Sequence, residues 1–166
     1  MGIDTVNGMD EHSASHCFRQ CCTSQAWIAR MVASRPFSSA GAMTTAANEH
    51  WLDLEEEDYL EAFDGHPKIG DVNSLKARYA NTKELAAGEQ SLVNVASDET
   101  IEALSERNRA YEEKFGFIFI VCATGKSAEE MLALLEERLP NSRQQELVNA
   151  AEEQRKIFQI RLEKLL

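Results

Sequence analysis

The sequence lacks the common signatures of a membrane, metal or phosphate-binding protein. No apolar run approaches the roughly 20 residues that a membrane-spanning helix needs, and we expect no signal peptide. The chain has no C-x-x-C pair, H-E-x-x-H, P-loop, G-x-G-x-x-G or G-x-S-x-G. These absences argue against the zinc, nucleotide and serine-hydrolase sites that such motifs build. We therefore expect no cofactor and no metal.

Basic residues and cysteines are also scarce. The 17 Lys and Arg residues face 28 Asp and Glu residues, which gives a formal net charge of −11. A nucleic-acid partner would need a basic face, so neither nucleic acid nor membrane is the expected partner. The four cysteines have no disulfide-like spacing and are typical of reduced thiols. We therefore expect a cytoplasmic location.

Hydrophobic periodicity predicts an all-α, single-domain bundle of about seven to nine helices with no significant sheet. We expect a disordered tail or expression remnant over residues 1–13 and the helical domain over 14–166. Apolar residues recur at helical spacing in the segments 18–32, 43–54, 59–63, 101–115, 128–139 and 143–166. Short helices are predicted near 74–79 and 82–92. The apolar run 117–123 resembles a strand in composition, but it is isolated and has no partner strand.

The run His66-Pro67-Lys68-Ile69-Gly70-Asp71 is the most informative local feature. Proline fixes its own φ and keeps the preceding residue out of the α region, so the imidazole of His66 is held on a stiff loop. Histidine titrates near cellular pH, and such a loop is suited to proton transfer. The alternative is a structural histidine that caps a helix.

Two other features suggest a ligand site. A single stripe of the last helix should face the core, with Leu147, Ala151, Gln154, Phe158, Arg161 and Leu165 as its members. Arg161 interrupts this stripe with a permanent charge, so it either binds an anion in a pocket, pairs with an acidic residue or extends to solvent. Glu89-Gln90 follows the small residues 86–88, which would let a ligand approach the backbone. The alternative is that Glu89 is an ordinary solvated residue on the surface.

Several motifs, taken in order, resemble one family. They are Cys21-Cys22-x-Ser24-x2-Trp27, Arg35-Pro36-Phe37, the 66–71 run, Glu89-Gln90, Tyr111-x3-Phe115-Gly116-Phe117-x-Phe119-Ile120-x-Cys122-Ala123, Glu137-Arg138-Leu139-Pro140-Asn141 and Lys156-Ile157-x3-Arg161-Leu162. Across about residues 15–166 the chain resembles the 2-oxo-4-hydroxy-4-carboxy-5-ureidoimidazoline (OHCU) decarboxylases, in their bacterial style. No single motif is unique to the family, but their order is specific.

The resemblance implies a cofactor-free, usually homodimeric all-α enzyme that decarboxylates OHCU, a small ureide, to (S)-allantoin and CO2 in urate catabolism. His66 matches the catalytic histidine, which we expect to donate a proton. Glu89 and Gln90 match the family's substrate-contacting acid–amide pair, and we expect Glu89 also to raise the pKa of this histidine. The implied substrate-binding residues are Pro67, Ala86, Ala87, Gly88, Gln90, Ile118, Phe119, Ile120, Val121, Cys122 and Arg161.

Two other functions are compatible with parts of the sequence. A non-catalytic, acidic helical module could bind partner helices in a groove, with His66, Glu89 and Arg161 in structural roles. A cofactor-free hydrolase acting on a related ureide is a further alternative. The order of the shared motifs favours the decarboxylase over both.

Overall fold

The structure, a computed structural model, describes residues 1–67, 72–77 and 97–166. Residues 72–77 are helical, and the described ranges contain no strand. The other helices are α1 (Ile3–Gly8), α2 (Glu11–Arg19), α3 (Gln25–Ala33), α4 (Ala40–Leu52), α5 (Glu56–Asp64), α6 (Asp98–Phe115), α7 (Ala128–Arg138) and α8 (Arg143–Leu165). The predicted all-α, single-domain class is confirmed. Within the described part, no helix is both long and apolar enough to cross a bilayer.

Serine side chains determine where several helices begin. The hydroxyl oxygens of Ser39, Ser97 and Ser127 each accept a hydrogen bond, at 3.1 Å, from the backbone N–H three residues later. Each bond satisfies an N–H that has no partner inside the helix. At the other end of α6, Gly116 adopts φ 80°, a left-handed conformation that glycine reaches without steric cost.

Two features near the N-terminus differ from the sequence prediction. The single helix expected over 18–32 is two helices, because the buried Ser24 leaves the helical conformation and caps α3 by accepting from Trp27 N–H at 3.3 Å. The tail expected over 1–13 contains α1, whose Val6 is fully buried. One anchoring apolar side chain and the side-chain amide of Asn7, which donates to Phe37 O at 2.8 Å, order a segment that is otherwise polar.

The domain contains two compact units, and the first comprises Met1–His66, Ile120–Cys122 and Val148–Leu166. Aromatic side chains form the centre of its core. The ring of Phe158 lies 5.1 Å from that of Trp27 and 5.6 Å from that of Trp51, between ring centroids. Both indole N–H groups are satisfied by carbonyl oxygens, Trp27 donating to Ala47 and Trp51 to Ala151 at 3.0 Å.

The second unit comprises Pro67–Phe119 and Ala123–Leu147. In it, α6 packs along α7. The ring of Tyr111 is fully buried and lies within 6.0 Å of three phenylalanine rings, those of Phe115, Phe117 and Phe119. The apolar run 117–123 is not helical and forms no strand, as expected for a segment without a partner strand.

The buried stripe of α8 differs in register from the predicted one. Its fully or almost fully buried side chains follow each other at intervals of four, and they are Glu146, Ala150, Gln154, Phe158 and Leu162. Gln154 and Phe158 are shared with the prediction, whereas Leu147, Ala151 and Leu165 are only half-buried and Arg161 is exposed. The observed stripe includes Glu146, and a fully buried glutamate is rare unless it is paired.

Candidate active site

His66 lies immediately after α5, where its backbone N–H donates to Phe63 O at 3.1 Å. Its side chain is half-buried in the first unit. The ring nitrogen Nε2 lies within hydrogen-bond distance of Oε1 of Gln154 on α8. The imidazole is therefore held by the end of one helix and by a side chain from another.

A close approach between Gly65 and Thr23 fixes the chain just before His66. A Cβ at position 65 would lie 2.0 Å from Oγ1 of Thr23, well inside contact distance. The φ of Gly65 is −72°, so glycine is required here for space and not for its conformational freedom. The Thr23 hydroxyl donates to Glu61 O at 3.2 Å. The loop between α2 and α3 thus holds the end of α5.

The same loop also contacts Arg161. A guanidinium nitrogen of Arg161 donates to Cys21 O at 3.2 Å. Arg161 is exposed, which corrects the expectation that it would interrupt a buried stripe. It forms no ion pair with a carboxylate in the described ranges. Its charge is therefore accessible to an anionic ligand.

Burial is the main cause that lowers the pKa of His66 below the ordinary 6.5. The hydrogen bond with Gln154 opposes this effect, and the positive charge of Arg161 adds to it. Arg161 thus lies close enough to act on the imidazole, and His66 is neutral near pH 7. Glu89, which we expect to raise this pKa, lies outside the described residues.

The buried cysteines beside this site are poor nucleophiles. Burial raises the pKa of the thiols of Cys21 and Cys22 to about 12, so neither forms a thiolate near neutral pH. No disulfide joins any two of the four cysteines, all of which lie within the described residues. In the described part of the chain, no group of His, Cys, Asp and Glu side chains could hold a metal ion.

The predicted substrate contacts in the run 118–122 fall into both units. Ile120, Val121 and Cys122 belong to the first, where Cys122 N–H donates to a carboxylate oxygen of Glu153 at 3.4 Å. Ile118 and Phe119 belong to the second. Ile118 is half-buried, whereas Phe119, Ile120 and Val121 are buried and can offer a ligand mainly their backbone groups.

The structure describes only one of the six remaining predicted site residues. Pro67 is exposed. Five positions lie outside the described residues, namely Ala86, Ala87, Gly88, Glu89 and Gln90. Of the predicted set, His66 and Arg161 lie in the same compact unit, and the predictions for these five positions stay open.

A buried charged network in the second unit was missed by sequence reasoning. The carboxylate of Glu146 is completely buried and accepts from Tyr111 Oη–H at 2.6 Å, from Arg138 Nε–H at 2.7 Å and from Asn141 Nδ2–H at 3.0 Å. The guanidinium of Arg138 also lies 4.6 Å from the centroid of the Phe119 ring. All of these residues except Glu146 belong to motifs shared with the family, but local spacing does not reveal their pairing.

Comparison with known proteins gives consistent matches. The family model described as OHCU decarboxylase matches residues 7–163. An Arabidopsis thaliana protein named "Uric acid degradation bifunctional protein TTL" is 36% identical over 89% of this chain, which spans 46% of that relative's length. A Haloferax volcanii protein named "2-oxo-4-hydroxy-4-carboxy-5-ureidoimidazoline decarboxylase" is 28% identical, with 96% of this chain and 93% of the relative covered.

Solved structures agree with the sequence matches. One, titled "Crystal structure of OHCU decarboxylase in the presence of (S)-allantoin", is 33% identical with a TM-score of 0.71 and covers 95% of this chain and 98% of the other. A second, titled "Crystal structure of (S)-allantoin synthase", is 19% identical with a TM-score of 0.72 over all of this chain and 54% of the other, and it shows the shared fold alone. The match of the family model over nearly the whole length shows that this chain belongs to the OHCU decarboxylase family.

Proposed function

We propose that this chain decarboxylates OHCU to (S)-allantoin and CO2 in urate catabolism. The observation that carries the proposal is the arrangement of His66, Gln154 and Arg161 in one compact unit of a chain from this family. His66 offers a neutral imidazole near pH 7, and Arg161 offers an exposed cation. These are the two groups that a decarboxylase of an anionic substrate needs from its protein.

The reaction breaks one C–C bond and forms one C–H bond. When CO2 leaves, the electron pair of the broken bond enters the conjugated ring of the substrate, which serves as its own electron sink. The protein then has to orient the carboxylate, stabilise developing negative charge and supply one proton. No resident cofactor is required for these tasks, and we propose that none is used.

His66 performs the proton transfer in this proposal. Its lowered pKa makes the neutral ring the resting form, so the imidazole takes up a proton from solvent and delivers it to the ring carbon. Delivery of the proton to one face sets the (S) configuration. Arg161 holds the substrate's negative charge, and Glu89 with Gln90 binds the ureide end. Backbone groups of residues 118–122 satisfy the amide-like edges of the ring.

We further propose a cytoplasmic homodimer. The absence of disulfide bonds among the four cysteines supports the reducing location. Size-exclusion chromatography with light scattering would distinguish a dimer from the 18.6 kDa monomer.

The test uses OHCU generated freshly by urate oxidase and 5-hydroxyisourate hydrolase. We expect the purified chain to accelerate formation of allantoin, with a circular dichroism signal of a single hand, while the uncatalysed reaction gives a racemate. Mass spectrometry of the product identifies loss of CO2 and separates decarboxylation from hydrolysis. A racemic product formed at the uncatalysed rate would favour the alternative of a non-catalytic interaction module.

A further inference from the structure

Gln154 is a buried amide in an otherwise apolar stripe of α8. Its side chain is 1% exposed, and the next residues on the same stripe, Ala150 and Phe158, are fully buried. A buried amide costs free energy unless it is hydrogen-bonded. The side-chain partner of Gln154 in the described residues is Nε2 of His66.

We propose that Gln154 is the positioning residue that keeps the proton of neutral His66 on Nε2 and leaves Nδ1 for the ligand. The catalytic consequence of this inference rests on the proposed function, whereas the hydrogen bond itself does not. An amide oxygen only accepts, so the ring nitrogen that faces it must carry the proton. In a neutral imidazole the other nitrogen, Nδ1, then has a free lone pair. No described residue forms a hydrogen bond with Nδ1.

The neutral amide suits a histidine that has to change its charge. A carboxylate in the same place would favour the imidazolium and would hold the ring in its charged form. Among the described groups, Arg161 is the charged residue that acts on His66, and it disfavours the imidazolium. Gln154 thus orients the ring without fixing its protonation state, so Nδ1 can take up a proton and pass it to the substrate.

The first experiment determines the tautomer and titration of His66 by nitrogen-15 NMR of the ligand-free protein. We expect the wild type to carry its proton on Nε2. Gln154→Glu should raise the pKa of His66 by about one unit or more, because it places a carboxylate against the ring. The matched control is Gln159→Glu on the same helix, whose amide contacts Asn48 Oδ1 at 2.6 Å instead; it should shift this pKa by at most a few tenths.

The second experiment measures catalysis. Gln154→Leu should lower kcat by about 10- to 100-fold, the range typical when the outer partner of a metal-bound histidine is lost, with KM changed less than threefold. In Gln154→Glu, the acidic limb of the kcat–pH profile should move to higher pH, whereas in Gln159→Glu it should stay in place.

Two outcomes would overturn the inference: a wild-type His66 that carries its proton on Nδ1, or equal titration of this histidine in the two glutamate variants. The wild-type spectrum decides the first outcome even where a variant does not fold. Failure of the proposed function is distinguishable, because it would appear as normal Nε2 protonation in a wild type that does not accelerate the reaction.

Discussion

The buried carboxylate of Glu146 gives the sharpest prediction for stability. Its side chain has 0% exposure and that of Arg138 has 11%, and the two are joined at 2.7 Å. Glu146→Gln keeps the volume but removes the carboxylate charge that the guanidinium contacts at 2.7 Å. Breaking a buried pair in this way costs about 3–5 kcal/mol. For a domain of this length, 1 kcal/mol corresponds to about 2–4 °C in Tm, so we expect a decrease of about 6–20 °C.

The control for this prediction is a similar ion pair on the surface of α8, the helix that carries Glu146. Glu152 and Arg155 are also joined at 2.7 Å, but their side chains are 49% and 29% exposed. Exposed pairs contribute about 0–1 kcal/mol, so Glu152→Gln should lower Tm by no more than about 4 °C. Thermal unfolding followed by circular dichroism measures both variants. Equal shifts in the two variants would refute the reasoning that burial, and not distance, determines the cost.

Three further predictions concern the candidate active site. Gly65→Ala should destabilise the fold by about 1–3 kcal/mol and lower kcat, because its Cβ would lie 2.0 Å from Oγ1 of Thr23. The control is Gly41→Ala, whose Cβ would lie 3.7 Å from its nearest neighbour, Oγ of Ser39. This variant should be neutral or stabilising in the same thermal denaturation assay. Arg161→Gln should raise KM for OHCU about 10-fold or more and raise the pKa of His66, which kinetics and NMR measure separately; an unchanged KM would contradict the anion-binding role. The pKa of His66 is lowered on folding, so the unfolded state binds more protons and the free energy of unfolding should fall as the pH drops below about 6.5. Urea denaturation at pH 7.5 and 5.5 measures this decrease. The part of it that His66 causes should be absent from His66→Asn.

Local signals in the sequence predicted most of the fold. Helical periodicity located α4, α6 and α7. These features depend on residues within one or two turns of each other, which is why a sequence reveals them. The split between α2 and α3 depends on the buried cap at Ser24, which competed with a continuing apolar pattern and prevailed.

The candidate site was predictable only in part. The stiff loop and the charge on the last helix indicated His66 and Arg161, but the contacts that hold them are long-range. The approach of Gly65 to Thr23 and the bond from Gln154 to His66 join residues that are distant in sequence. The stripe predicted for the last helix did contain Gln154, but it gave no indication that His66 is the partner of Gln154. The buried Glu146 was missed because burial of a carboxylate is favourable only when several donors converge on it.

The central claim is that His66 transfers the proton that makes allantoin of one hand. The most direct measurement compares His66→Asn with His50→Asn, whose histidine contacts Ser34 Oγ at 2.7 Å and has no role in the proposed chemistry. With freshly generated OHCU and circular dichroism detection, His66→Asn should be about 10²- to 10⁴-fold slower than the wild type and lose the chiral signal. His50→Asn should retain both rate and handedness. Formation of (S)-allantoin by His66→Asn at the wild-type rate would contradict the account.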